Sequence, residues 1–118
     1  MGTEAAEEAS HDAAVERAVA ELPDAVVVRR YLLSVTDPDL TFDEHGSSLA
    51  DQVSAATDVL DRLARTGALI RHRERWRRAL ELAFVQRGGP WAKAAGACPA
   101  SMERLGVPSA TLEAAGLR

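Results

Sequence analysis

Residues 69–84 read "LIRHRERWRRALELAF", with five arginines between two apolar ends. Whether this stretch forms a strand or a helix decides the fold of the chain. As a strand, it alternates strictly and places four arginines on one face: Arg71, Arg73, Arg75 and Arg77. Such a ribbon suits phosphate contacts. A hairpin also needs a turn, however, and the arginine run, residues 71–78, contains no Gly, Asn or Pro to make one.

As a helix, the same stretch has one apolar face and one basic face. Arg, Glu, Ala and Leu are good helix formers, so local propensity favours this alternative. It also creates two charge pairs four residues apart, Glu74–Arg78 and Arg77–Glu81, which support a helix. Its apolar face consists of Leu69, His72, Trp76, Leu80, Ala83 and Phe84. Both alternatives stay open, and in both of them the arginines can reach phosphates.

The acidic and basic residues divide between the two halves of the chain. The formal net charge is −4, but residues 1–61 carry 14 acidic and 3 basic residues, whereas residues 62–118 carry 4 and 11. This asymmetry indicates either a nucleic-acid footprint in the second half or acidic and basic surfaces that meet within or between chains. The excess of arginine over lysine favours neither, because a GC-rich genome produces the same bias.

The segments on either side also predict helices. Residues 3–22 predict one that Thr3 caps and Pro23 ends. Its narrow apolar stripe consists of Val15, Ala18, Val19 and Leu22. The next segment, which Asp24 can cap, has apolar residues at helical spacing: Val28, Tyr31, Leu32 and Val35. After a break predicted at "GGP" (88–90), the tail contains two short helix candidates, "PASMERLGV" and "PSATLEAAGL".

The central segment predicts either one long helix or two shorter ones. Thr41 and Glu44 form a T-x-x-E capping box, which predicts a helix start at Phe42. An apolar face at helical spacing follows, and Gly67 would end it as a left-handed cap. That face consists of Leu49, Val53, Ala56, Leu60 and Leu63. A single helix over residues 48–66 fits this pattern, and so do two helices with a turn between them.

The frame from Thr41 to Gly67, followed by the arginine run, resembles the core of winged helix-turn-helix transcriptional regulators. In that family a capped helix ends at a leucine, a short turn follows, and a recognition helix ends in L-x-x-L-x-x-x-G before an apolar strand and a basic wing. Leu60, Leu63 and Gly67 match that ending. The resemblance covers about residues 25–83, with "RRYLLSV" in the place of the family's first helix.

The resemblance implies a mainly α fold in three parts: an N-terminal helix (1–23), a helix-turn-helix core (24–87) with at most a short β wing, and a C-terminal helical segment (88–118). It implies a sequence-specific regulator that binds double-stranded DNA through the second helix of the pair and the arginines. The implied DNA contacts are Gln52, Ser54, Ala55, Thr57, Arg62, Arg71, Arg73, Arg75, Arg77 and Arg78. A homodimer, formed by the N-terminal helix, the C-terminal helices or both, would present two half-sites.

An all-α interaction or assembly subunit is the alternative. In it, residues 48–66 form one helix, residues 69–87 form another, and the acidic and basic halves dock on neighbours. Such a subunit can also bind nucleic-acid backbone without reading its sequence. The backbone at residues 50–52 and 72–75 distinguishes the two hypotheses, because unbroken helix through both favours the subunit.

Catalytic and metal-binding residues are not apparent. No nucleophile and base are paired in the sequence, so we do not expect an enzyme. His11, His45, His72 and Cys98 have no short ligand spacing, so we predict neither a zinc site nor another cofactor. His72 is expected at the edge of the core with a hydrogen bond. Cys98 is expected to be a small buried hydrophobe rather than a redox switch.

The sequence predicts a cytoplasmic protein with no membrane partner. Its N-terminus, "MGTEAAEEASHD", is acidic and lacks the features of a signal peptide. The longest apolar runs fall far short of a membrane span. The single cysteine cannot form an internal disulfide.

Overall fold

The structure, a computed structural model, describes the backbone of residues 2–118 and the side chains of residues 6–118. The described chain is mainly helical and contains no strand, so residues 69–83 take the helical alternative. The helices are α1 (Gly2–Ala20), α2 (Asp24–Thr36), α3 (Glu44–Ala55), α4 (Val59–Ala83), α5 (Gly89–Ala94), α6 (Pro99–Leu105) and α7 (Ser109–Ala114). A π-helical turn, Phe84–Gly88, joins α4 to α5.

The first two helices form where the sequence predicts them. Val15 and Val19 on α1 are buried, and so is Tyr31 on α2. Thr3, the expected cap of α1, lies outside the described side chains. Asp24 does not cap α2, because Pro23 holds that position and Asp24 is the first helical residue.

Arg87 connects the end of α1 to the start of α2 through hydrogen bonds. Its guanidinium donates to the backbone carbonyls of Val19 and Leu22 and to the carboxylate of Asp24, over 2.9 to 3.0 Å. The carbonyls at the end of a helix lack partners within that helix. Arg87 therefore satisfies two of these acceptors and ties both helices to the π-helical turn.

Helix α3 begins at Glu44, two residues later than the capping box predicts. The cap is Asp43, whose carboxylate accepts a hydrogen bond from the Gly46 N–H at 2.8 Å. Asp is at least as good a cap as Thr, which is why Asp43 can replace the predicted Thr41 in this role. The hydroxyl of Thr41 lies 3.3 Å from that of Ser47 instead.

The central helices break at residues 56–58, a position that the sequence did not predict. Asp58 caps α4 and accepts from the Asp61 N–H at 3.0 Å. Gly67 is not a C-terminal cap, since α4 continues through it for 16 further residues to Ala83. A glycine inside a helix costs about 1 kcal/mol, and the buried face beyond it offsets this cost. Residues 50–52 and 72–75 are both unbroken helix.

The predicted break at "GGP" is also wrong. Both glycines have right-handed helical dihedrals, and the chain passes from α4 through the π-helical turn into α5. A Cβ on Gly89 would lie 2.1 Å from the carbonyl oxygen of Ala115, so only glycine allows α7 to approach this closely. Pro90 is tolerated because it occupies the first turn of α5, where its missing N–H costs little.

One hydrophobic core draws on all three predicted parts of the chain. It includes Val19 from α1, Tyr31 from α2, and Leu80 from α4. Met102 and Leu112 place the C-terminal helices in the same core, so the tail belongs to the fold.

Helix α4 is the axis on which the other helices are arranged. Helix α1 runs parallel to it. Asp12 contacts Arg75, and Val19, which comes later in α1, contacts Arg87, which comes later in the sequence than Arg75. Helix α3 runs antiparallel to it, as the contact of Gln52 with Arg65 shows. The radius of gyration is 15.9 Å, against about 13.5 Å for a compact domain of this length. The excess reflects an elongated molecule of 49 × 29 × 22 Å, from which the α3–α4 hairpin projects.

Candidate interaction surfaces on helix α4

Every arginine of the run has a carboxylate partner within the chain. Arg75 donates to Asp12 at 2.6 Å, and Arg77 to Glu81 at 3.0 Å. Three further pairs are longer, from 3.4 to 4.0 Å: Arg71–Glu8, Arg73–Asp39 and Arg78–Glu74. Glu8, Asp12 and Asp39 belong to the acidic first half, so the two halves of the sequence meet within one chain at three of these contacts.

These arginines differ widely in how much solvent they reach. The side chains of Arg71 and Arg78 are 63% and 77% exposed, whereas that of Arg75 is 12% exposed. The Nε of Arg73 is buried and has no hydrogen-bond partner. Arg71 and Arg78 are thus the two members of the run that are most open to an external anion.

A buried network joins α3, α4 and α1. The ring of His72 is 3% exposed, and its Nε2 lies 2.9 Å from the carboxylate of Asp43. Its Nδ1 lies 3.1 Å from a guanidinium nitrogen of Arg75, which can only donate. In the neutral form of the ring, these partners place the proton on Nε2. Because both ring nitrogens are engaged, His72 has no free nitrogen to act as a base.

Asp43 is the centre of this network. It accepts from the indole N–H of Trp76 at 3.1 Å as well as from His72 and the Gly46 N–H. Burial raises the pKa of the Asp43 carboxyl, but the hydrogen bonds from His72, Gly46 and Trp76 together hold it below its ordinary value. The prediction of a hydrogen-bonded His72 at the edge of the core is confirmed.

The fold brings together all three histidines, which lie far apart in the sequence. The ring centroids of His11 and His45 are 5.2 Å apart, and those of His45 and His72 are 4.7 Å apart. Partial burial and then the neighbouring imidazoles, first His72 and then His11, lower the pKa of His45. Among the described side chains, no group of three or more His, Cys, Asp or Glu residues has an arrangement that could hold a metal ion.

A second polar cluster lies further along α4. The hydroxyl of Tyr31 donates to Glu81 at 3.2 Å, and Glu81 also accepts from Arg77. Burial and then the adjacent Glu81 carboxylate raise the pKa of Tyr31 to about 12. This cluster holds α2 against α4.

The residues expected to contact DNA lie on different elements. Gln52, Ser54 and Ala55 occupy the end of α3, Thr57 lies in the turn, and Arg62 lies in the first turn of α4. The five arginines of the run lie further along α4, where a helix points them in several directions instead of along one ribbon.

Two of the expected base-contacting side chains are bound within the chain. Gln52 accepts from Arg65 at 2.7 Å, and Arg62 donates to the Ala56 carbonyl at 2.7 Å. Both bonds close the turn of an antiparallel hairpin, whereas the helices of a helix-turn-helix cross at about 90–120°.

The projecting end of the hairpin carries exposed apolar side chains. Val59, Leu60 and Leu63, here called the hairpin tip, are 75%, 71% and 70% exposed. The expectation that Leu60 and Leu63 face the core is wrong, because the break at residues 56–58 takes them off the face that Ala56 buries. The apolar spacing continues across the break, so it does not indicate this exposure.

A groove of about 930 Å³ runs between α1 and α4. Acidic residues of α1 line one wall, arginines of α4 line the other, and alanines and Val19 form the floor. Ile70 and Leu82 lie in its lining and are 58% and 55% exposed. Sequence reasoning missed this groove because it forms only where α1 packs beside α4, and these two segments lie far apart in the sequence.

Two other expectations concern the surface. Cys98 is exposed and not buried as expected, because it precedes the short helix α6 on the outside of the tail. Hydrogen bonds from Ser101 lower the pKa of its thiol. No helix between residues 2 and 118 is both long enough and apolar enough to cross a membrane.

Comparison of the chain with known protein families, curated proteins and solved structures finds no match.

Proposed function

We propose that this chain is a non-catalytic, all-α interaction subunit that binds an apolar helix of another protein through the hairpin tip. The observation that carries the proposal is the exposure of Val59, Leu60 and Leu63, each more than two-thirds open to solvent. A contiguous exposed apolar patch of this kind is typical of a protein–protein contact.

The shape of the molecule supports the same function. Helices α3 and α4 form a two-helix hairpin, and its outer end extends beyond the body of the molecule. Two-helix units bury their remaining apolar face by packing against further helices in a bundle. A partner helix with apolar residues at i, i+3 or i+4, and i+7 would complete such a bundle.

The unbroken backbone at residues 50–52 and 72–75 also supports the subunit. The expected turn of a helix-turn-helix falls at the first of these positions, and the expected wing at the second. In addition, a phosphate that approached the arginine run would have to displace carboxylates, among them Asp12 and Glu81.

DNA binding is a second candidate function, and one observation favours it. Arg71 and Arg78 are seven residues apart on α4 and keep most of their side-chain surface open. Two such arginines lie about 10 Å apart along the helix and can contact phosphates without reading the sequence. A sequence-specific homodimeric regulator would need further contacts from the end of α3.

One experiment tests the first proposal directly. A photo-crosslinking amino acid is placed at Leu63, and in a matched control at Ser54, which is also exposed but lies on the polar side of α3. In extracts of the source cells, we expect one specific protein adduct at position 63 and none at position 54. The adduct should disappear when Leu60 is changed to Glu. No adduct at 63, or equal labelling at both positions, contradicts the proposal.

A duplex titration at two salt concentrations separates the two candidates. A DNA-binding protein loses affinity steeply as salt rises, by about one power of salt for each phosphate contacted. A subunit that acts through the hairpin tip alone should show no duplex binding at low salt. Salt-dependent binding that Arg71→Glu with Arg78→Glu abolishes would favour the second candidate instead.

A further inference from the structure

Four residues of α4 form a ridge along the groove beside α1. Ile70, Glu74, Arg78 and Leu82 follow one another at steps of four residues, and all four line the groove. We refer to them as the α4 ridge. Ile70 and Leu82 are more than half exposed, and the side chains of Glu74 and Arg78 are 39% and 77% exposed. Rows of residues four apart are the ridges that most often interdigitate when two helices pack.

The order of side chains along the α4 ridge is self-complementary. From one end it is apolar, acidic, basic and apolar. A second copy in the opposite direction would place Ile70 against Leu82 of its partner and Glu74 against Arg78. Each contact then occurs twice, as in any interface formed about a two-fold axis.

We propose that two copies of this chain pair antiparallel through the α4 ridge. Glu74, which pairs within its own chain with Arg77 and, at 3.4 Å, with Arg78, would then also meet Arg78 of the second copy, so that the four ridge charges alternate in sign. Opposite charges across an interface fix its register and disfavour other alignments. The apolar residues at both ends of the ridge are covered at the same time.

The groove favours a second copy over an unrelated partner. Its walls carry charges of both signs, because Asp12 and Glu16 on α1 face Arg71 and Arg75 on α4. A strongly acidic or strongly basic partner therefore meets like charges on one of the walls. A copy of α4, which carries both signs in the reverse order, meets opposite charges along the ridge.

The α4 ridge is separate from the hairpin tip, so this inference goes beyond the proposed function and does not rest on it. Leu60 and Leu63 do not line the groove. A change at the tip should leave self-association intact, and a change on the ridge should leave adduct formation at position 63 intact. Failure of either proposal can thus be recognised without the other.

Sedimentation velocity over a series of protein concentrations tests the pairing. We expect a concentration-dependent dimer in the unmodified protein. Leu82→Glu should raise the dimer dissociation constant by about tenfold or more, which corresponds to about 1.4 kcal/mol. Leu63→Glu, the same substitution at another exposed leucine of α4, should leave it unchanged. Thermal melting confirms that both variants fold.

Charge exchange tests the antiparallel order. Glu74→Arg alone and Arg78→Glu alone each bring four like charges together and should weaken the dimer. The double variant Glu74→Arg with Arg78→Glu restores the alternation and should restore dimerisation. The proposal is overturned if the unmodified chain stays monomeric, if Leu82→Glu dimerises as well as the unmodified chain, or if the double variant is no better than the single ones.

Discussion

The two halves of helix α4 have opposite surroundings. From Leu69 onward, α1, α2 and α3 pack against the helix, and Trp76 and Leu80 are buried although five arginines lie on the same stretch. Before residue 65 the described residues beside it belong to the end of α3, and Leu60 and Leu63 stay exposed. The comparison teaches that burial on this helix follows the number of elements packed against it and not the density of apolar residues.

Leucine-to-alanine substitutions in the two halves should give the largest difference in stability. Leu80 is fully buried and Leu63 is 70% exposed. Leu80→Ala should lower the free energy of unfolding by about 2–5 kcal/mol, and Leu63→Ala should change it by no more than about 0.5 kcal/mol. Urea unfolding followed by circular dichroism measures both. Equal losses would mean that the hairpin tip is covered in solution.

The two capping aspartates sharpen the same comparison. Asp58→Ala at the tip removes one capping bond and should cost about 1 kcal/mol. Asp43→Ala at the body also leaves the N–H groups of His72 and Trp76 without an acceptor, so we expect a loss of about 2–4 kcal/mol. Chemical denaturation of both variants gives the two values. If Asp43→Ala costs no more than Asp58→Ala, the buried network does not stabilise the hairpin.

The histidine cluster lies beside the half of α4 that begins at Leu69. It should give a smaller change in the free energy of unfolding, and that change should depend on pH. The pKa of His45 in the folded chain lies below its ordinary value of 6.5, so the unfolded chain binds the proton more readily. The contribution of His45 to the free energy of unfolding is complete above pH 6.5 and is lost as the pH falls through the lowered pKa of His45. The neighbouring His72, His11 and Arg75 lower the pKa of His45 further, whereas the Asp43 carboxylate raises it.

Denaturant unfolding from neutral pH to one unit below 6.5 checks this expectation. The free energy of unfolding should fall with pH in the unmodified chain, and His45→Gln should flatten the curve. His45 is partly exposed, so the change should be smaller than that of either capping variant. A slope that His45→Gln leaves unchanged, or one of opposite sign, would contradict the role given to His45.

The sequence predicted the helices well where one element could be judged alone. The apolar face from Leu69 to Ala83 and the short helices of the tail follow from spacing and from proline starts, which are local properties. The position of the hairpin turn did not follow. Asp58 is a strong cap, but an uninterrupted apolar spacing on both sides of it concealed the break.

The candidate surfaces were harder to predict because they depend on contacts between distant segments. The partners of Arg71, Arg73 and Arg75 come from α1 and from the loop before α3, as Asp12 and Asp39 show. Arg77 and Arg78 instead pair with glutamates four residues away on α4. The histidine cluster joins residues 11, 45 and 72 through the same packing. Nothing in the spacing of these residues indicates that they meet. The charge asymmetry of the two halves was the one sequence signal, and it left open where the halves would meet.

The continuous passage from α4 through the π-helical turn into α5 has a mechanical consequence. From Val59 to Ala94 the chain is one continuous helical segment of 36 residues, which would be about 54 Å long if it were straight and had the usual rise. A force applied to the Val59 end of this segment would be transmitted past the core to the C-terminal helices. A π-helical turn interrupts the regular hydrogen bonding of the segment, so it should bend first between Phe84 and Gly88.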